Sequence, residues 1–255
     1  MKILLIGAGN MGGALYAAWH AKHDIAVVEK NEHQRERLRG QFADAVFADA
    51  IFAESGEAYA DHADRVAVLA IKPQSLSAFK LPKVAAIVSI MAGVTLAVLR
   101  EKFQAAHYIR AMPNLAALYG KSATTLTGSE SFKNEALELF GAIGLALWVE
   151  SEKEIGIATA LAGSGPGFLA LAAEAMANAA VKLGMKAVDS HALTAALFSG
   201  TGELLAREHP ALLKERVSSP GGTTAAGLGA LEAHNARNAF MQAIEAAYKR
   251  SGELG

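Results

Sequence analysis

The feature that most constrains this chain is a glycine-spaced turn set directly behind a short apolar strand. Lys2–Ile6, with its apolar run Ile3-Leu4-Leu5-Ile6, reads as a strand, and Gly7-Ala8-Gly9-Asn10-Met11-Gly12 follows it at once. A secretory core needs roughly 7–15 continuous apolar residues, so this run is instead predicted to open a sheet. The amphipathic stretch Met11–Lys22 predicts a helix whose N-terminal amides face the turn. A second apolar strand, Ile25–Glu29, then ends on a carboxylate at the spacing that a dinucleotide fingerprint requires. In that setting Gly7 permits the tight turn, Gly9 lets a pyrophosphate approach the backbone, and Gly12 lets the helix pack closely on the strand. The chain is expected to bind a nicotinamide dinucleotide at this turn.

Glu29 bears on which dinucleotide. A carboxylate at the end of the second strand accepts hydrogen bonds from the adenosine ribose and repels a 2′-phosphate, so it favours NADH over NADPH. The alternative rests on Lys30, Asn31 and Arg35, which form a phosphate pocket if Glu29 turns away.

The strand–helix alternation continues to about residue 150. Further strands are predicted at Val66–Ile71, Ala85–Ile90, His107–Ile109, Ser122–Leu126 and Leu145–Val149. Helices are predicted at Glu32–Gln41, Ala50–Ala60, Leu96–Phe103 and Phe132–Phe140. This pattern predicts an α/β fold, a doubly wound and mostly parallel sheet. From Glu154 to Arg250 the chain is rich in alanine and leucine at helical spacing, which predicts an all-helical second domain of five or six helices. The boundaries are set at residues 1–150 and 151–255, with Glu150-Ser151-Glu152-Lys153 as the link. Helix breaks are placed at Gly163–Gly167, near Gly184, at Glu208–Pro210 and at Ser218–Thr224. Asp189-Ser190 is read as the N-cap of a helix running to Arg207. A helical domain this small is expected to complete its core by pairing with a second copy; a self-contained bundle is the alternative.

Composition removes several function classes. A net charge of −1 over 255 residues leaves no field for a nucleic-acid backbone. The absence of cysteine excludes disulfides, thiolate catalysis and cysteine-ligated metals, and it fits a reducing cytoplasm. No uninterrupted run of 18 or more apolar residues marks a membrane span, and neither a His-Glu-x-x-His nor a nucleophile-elbow pattern is present. No metal site is expected.

Three further stretches carry possible chemistry. Ala70-Ile71-Lys72-Pro73 closes the best central strand, where ligands sit in doubly wound sheets. Met91-Ala92-Gly93-Val94 and Arg110-Ala111-Met112-Pro113-Asn114 follow the next two strands, and their small residues leave room for a nicotinamide ring. Ser218-Ser219-Pro220-Gly221-Gly222-Thr223-Thr224 opens a helix in the second domain, with several amides unpaired and hydroxyls beside them. Such an end attracts a carboxylate or phosphate.

Taken together, these segments and Gly163-Ser164-Gly165-Pro166 resemble the pyrroline-5-carboxylate reductases, and Ser219-Pro220-Gly221-Gly222-Thr223-Thr224 is the most specific piece. The resemblance implies a Rossmann domain followed by a helical domain that dimerises by interleaving helices, with a pentamer of dimers as the larger assembly. It implies reduction of the imine of 1-pyrroline-5-carboxylate to L-proline with NAD(P)H. Carried over by position, Ile6, Gly7, Ala8, Gly9, Asn10 and Met11 line the cofactor together with Ala70, Ile71, Lys72 and Pro73. Ser219, Gly222, Thr223 and Thr224 hold the substrate, with Thr224 near the imine nitrogen. The chain departs from the family pattern at Glu29, Leu115-Ala116, Gly167-Phe168 and Arg216. Two other readings compete: a 3-hydroxyacid or imino-acid dehydrogenase of the same build, and a nicotinamide-sensing binding protein without turnover. Against the hydroxyacid enzymes, Phe168–Ala172 offers only apolar residues where they carry a lysine.

Overall fold

The computed structural model describes residues 1–47, 63–77 and 79–253. The helix expected at Ala50–Ala60 lies outside them. Two compact units divide the chain: Met1–Gly163 together with the residues from Ala247 onward, and Ser164–Ala246.

The first unit runs β1 (Lys2–Ile6), α1 (Asn10–Trp19), β2 (Asp24–Val28), α2 (Glu32–Gln41), β3 (Val46–Phe47), β4 (Val66–Leu69), β5 (Val84–Ser89) and α3 (Leu96–Lys102). It continues with β6 (Ala105–Met112), β7 (Ser122–Gly128), α4 (Lys133–Gly141), β8 (Gly144–Trp148) and α5 (Glu152–Ala158). The strands form one eight-stranded sheet in the order β3-β2-β1-β4-β5-β6-β7-β8. Every neighbouring pair is parallel except β6 and β7. The exception has a local cause. A short 3-10 turn, Leu115–Tyr119, joins those strands and ends at Gly120 with φ 65°, and so brief a link returns the chain antiparallel. β3, a two-residue edge strand against Ala26 and Val27, was not expected from sequence; two residues carry no detectable period.

β1 and β4 are buried on both faces, as central parallel strands must be. One core, built on Leu15, Trp19, Leu139 and Phe140, packs α1 and α4 on one face; Leu76, Phe79, Leu99 and Phe103 cover the other. The Trp19 indole donates to the Leu139 carbonyl at 2.8 Å, which satisfies the one polar atom of that buried ring. Because β2 and β4 flank β1, successive crossovers leave in opposite directions there. A crevice therefore forms above the carboxyl ends of β1 and β4, beside the glycine turn.

The division between units falls after Gly163, later than the boundary expected after Glu150. The cause is packing: α5 lies on β6 and β7 and belongs with the sheet. The break expected at Gly163–Gly167 is a π-helical turn, Thr159–Gly163, running into α6 (Gly165–Lys182). Pro166 has no N–H, so the Ala162 carbonyl loses its i+4 donor and the turn widens instead of ending the helix.

The second unit holds α6, α7 (Ala187–Leu205), α8 (Pro210–Arg216), α9 (Thr223–Ala233) and most of α10 (Ala236–Gly252). Asn235, at φ 58°, provides the left-handed step between the last two. Lys186, not Asp189-Ser190, precedes the first turn of α7; buried Ser190 donates its hydroxyl to the Ala177 carbonyl at 2.7 Å and ties α7 to α6. Among the described residues of this unit only Ala177, Ser190 and Leu213 are buried. Leu169, Leu171, Leu183, Val188 and Leu193 are all more than half exposed. A single copy of this unit has no core. The helical run Glu152–Lys182 is long and apolar enough to cross a membrane by length and composition.

Candidate active site

The glycine turn divides its three glycines between packing and access. Gly7 has φ +100°, and a Cβ there would stand 2.6 Å from the Ala70 carbonyl oxygen. A Cβ on Gly12 would collide with the Gly7 carbonyl oxygen. Gly9 has nothing within 4 Å of its Cβ position, so the middle of the turn is open to a ligand. Gly9 also caps α1, and the amides of Asn10, Met11 and Gly12 have no acceptor within the helix. An open glycine beneath forward-facing amides suits a pyrophosphate, and the residues present fit a dinucleotide.

Glu29 folds onto this turn. Its Oε2 accepts from the Ala8 amide at 2.7 Å and its Oε1 from the Asn31 amide at 2.8 Å. Arg37 of α2 holds the next peptide, donating to the Ala8 carbonyl at 2.9 Å and to the Asn10 side chain at 3.0 Å. The Asn31 side chain caps α2, and the Arg35 guanidinium lies 5.0 Å over the Phe47 ring. Glu29 has therefore not turned away in favour of Lys30, Asn31 and Arg35. A cavity of about 380 Å3 opens here, bounded by Gly7, Val28, Glu29, Ile71, Ser75 and Phe79. Ala70 and Ile71 press on Gly7, while Lys72 is exposed and Pro73 starts a 3-10 turn. Thus the structure gathers Ile6–Gly12, Glu29 and Ala70–Pro73 at one sheet edge. Arg37 carried no motif and was not foreseen; only its place on the inner face of α2 could have pointed to it.

Along the same edge, the loop after β5 contains Ala92 and Gly93, the latter at φ +77°. The Glu152 carboxylate reaches this loop from α5. Its Oε1 accepts from Arg110 Nη1 at 2.6 Å and from the Leu96 amide at 2.9 Å. Arg110 is buried and Glu152 about one-third exposed at its side chain. Sequence had marked Glu152 only as part of a charged link. Asn114 donates through Nδ2 to the Ala162 carbonyl at 2.9 Å, the group orphaned by Pro166. The Met-Pro-Asn motif is thus joined by one hydrogen bond to the residue just before Gly-Ser-Gly-Pro.

Ser219, Gly222, Thr223 and Thr224 stand together on the second unit. Gly221 takes φ +71°, the Gly222 amide closes a turn on the Ser219 carbonyl at 3.0 Å, and Gly222 caps α9 without any side-chain bond. The Ala226 amide bonds the Gly222 carbonyl, which leaves the amides of Thr223, Thr224 and Ala225 without helical acceptors. A Cβ on Gly222 would strike the Ser219 hydroxyl, so that hydroxyl is held against the turn. Among the described residues no cluster of three or more metal-binding side chains occurs.

Comparison with known proteins identifies the family. Residues 152–254 match the family model described as pyrroline-5-carboxylate reductase dimerisation, and residues 2–93 match NADP oxidoreductase coenzyme F420-dependent. Pyrroline-5-carboxylate reductases from Thermus thermophilus and Synechocystis are 35% and 34% identical, over all of this chain and 99% and 98% of theirs. Solved reductases from Streptococcus pyogenes and Coxiella burnetii superpose with TM-scores of 0.83 and 0.82 at 27% and 28% identity, each covering 99% of this chain and 98% of theirs. The chain belongs to the pyrroline-5-carboxylate reductase family.

Proposed function

We propose that this chain reduces the ring imine of 1-pyrroline-5-carboxylate to L-proline, with the nicotinamide cofactor held across Gly7–Gly12 and the substrate carboxylate held at Ser219–Thr224. The observation that carries the assignment of the substrate group is the opening of α9, where Gly222 leaves the next three amides free beside the Ser219 hydroxyl. Membership of the family makes the chain an NAD(P)H-dependent oxidoreductase.

The amides of Asn10–Gly12 receive the pyrophosphate, Gly9 gives it access, and Ala70–Pro73 walls the crevice. A reduced nicotinamide held there would supply the hydride for the imine carbon. At the other turn, the amides of Thr223 and Thr224 grip the substrate carboxylate. The Thr224 hydroxyl hydrogen-bonds near the ring nitrogen. A threonine hydroxyl is a poor acid at neutral pH, so Thr224 orients an imine that arrives protonated, and positioning supplies most of the acceleration.

NADH is the preferred cofactor in this reading. What supports it is the Glu29 carboxylate at the end of β2, held by two amides, since a carboxylate there repels a 2′-phosphate and accepts from ribose hydroxyls. Two copies pair through the helices of the second unit, which covers their exposed leucines, and a pentamer of dimers is the proposed larger assembly. The cytoplasm as location fits a chain without cysteine.

The test follows NADH and NADPH absorbance in parallel with pyrroline-5-carboxylate and with its six-membered homologue. Consumption of NADH with the five-membered ring, faster than of NADPH, is the expected result. No consumption of either cofactor overturns the reading.

A further inference from the structure

We infer that Glu152 is a positioning residue for the nicotinamide half of the cofactor, acting through the loop between β5 and α3. The inference rests on the reductase reading above. One carboxylate oxygen, Oε1, serves two masters: it accepts from Arg110 on β6 and from Leu96, the first amide of α3. The loop in between, Ile90–Thr95, has its other end held as well, since the buried Ser89 hydroxyl accepts from the Met91 amide at 3.3 Å. Ser89 and Arg110 are register partners in the β5–β6 pair, so both anchors converge on one place in the sheet. Thr95 caps α3 through the Val98 amide, and Gly93 supplies the left-handed step that aims the loop across the sheet edge.

This arrangement is more than a surface ion pair. The Arg110 side chain is 10% exposed, and the pair forms part of the wall of a cavity of about 450 Å3 lined also by Ala92, Gly93 and Thr95 and, across from them, by Tyr248 and Ser251 at the end of α10. The cavity beside Glu29 and Gly7 lies above β1, β2 and β4; this second one lies above β5 and β6, along the same carboxyl edge. A dinucleotide held by Glu29 and the turn at Gly9 would have Ala92 and Gly93 as the residues that receive its nicotinamide half. Loop geometry there sets where the ring lies, and Glu152 sets the loop. Neither partner need touch the ligand for this to hold.

Amide hydrogen exchange on the full-length enzyme tests the inference, with NADH and ADP-ribose as probes, because ADP-ribose lacks only the nicotinamide. In the unsubstituted protein NADH should slow exchange at Ala92–Leu96 and at Gly9–Gly12, whereas ADP-ribose should slow it at Gly9–Gly12 alone. Glu152→Gln keeps an acceptor for Leu96 and removes the charge pairing with Arg110; Glu152→Ala removes both. Each should lose the NADH protection at Ala92–Leu96 and keep that at Gly9–Gly12. Turnover should fall about tenfold with ADP-ribose affinity unchanged, the size of one charged hydrogen bond. If Glu152→Ala does not fold, the near-isosteric Glu152→Gln carries the test. Protection of Ala92–Leu96 by ADP-ribose equal to that by NADH overturns the inference, as does retention of NADH protection in Glu152→Gln. A separate failure, no NADH oxidation by the unsubstituted protein with pyrroline-5-carboxylate, overturns the reductase reading itself.

Discussion

Glu29 is the residue on which the proposed NADH preference rests, and it is first of all a part of the fold. Its carboxylate closes the glycine turn through Ala8 and the start of α2 through Asn31. Glu29→Ser is expected to lower kcat/KM for NADH roughly tenfold and raise it for NADPH, since a charged hydrogen bond contributes about 1.5–3 kcal/mol. Parallel kinetics with both cofactors read the ratio, and an unchanged ratio removes Glu29 from specificity. Thr224→Ala should cost about tenfold in kcat/KM on pyrroline-5-carboxylate, and Thr224→Ser should recover most of it. Turnover and substrate affinity in Thr224→Ala equal to those of the unsubstituted enzyme would withdraw the role. Gly12→Ala drives a methyl into the Gly7 carbonyl and should destabilise the first unit by about 1–3 kcal/mol, seen as a lowered urea midpoint. At this scale the sequence was legible wherever backbone shape demanded one residue type, as at Gly7 and Gly12. Arg37 and Glu152 were illegible because a charged residue on a helix reads as solvated until its partner is known.

Among the elements, the π turn Thr159–Gly163 has the clearest physical cause. Pro166 deprives the Ala162 carbonyl of its donor, and the Asn114 amide replaces it from the far end of β6. Asn114→Ala leaves that carbonyl unsatisfied and should cost about 1–3 kcal/mol of stability. Pro166→Ala returns an N–H to the helix, so the Asn114→Ala penalty should shrink in the Pro166→Ala background. A double-mutant cycle by urea denaturation measures the coupling, and strictly additive losses would mean that the two residues act independently. Strand and helix positions in the first unit follow the apolar period closely; β1 and α2 match the expected spans. The glycine-rich break did not follow, because glycine and proline together mark a change of helical geometry without saying whether the helix stops.

For the molecule as a whole, the decisive fact is that the second unit buries almost nothing of its own. Leu193 and Leu197 are one turn apart on α7 and stand 59% and 49% exposed. Replacing both with aspartate should convert the assembly to monomers in light scattering after gel filtration, while each first unit still binds ADP-ribose. A unique dimer retained by the double variant would place the pairing surface elsewhere. The unsubstituted protein should elute as a decamer if dimers assemble in fives. What the sequence by itself determined was local: the glycine turn, the strand–helix alternation, and the turn before α9, each dictated by backbone sterics or by apolar period. What only the tertiary structure decided was long-range. Glu152 spanning from α5 to Leu96, Arg37 reaching Ala8, Asn114 answering Pro166 and the empty interior of the second unit all join residues far apart in the chain. No local period or propensity encodes such pairings, because they exist only once the sheet has brought its carboxyl edge together.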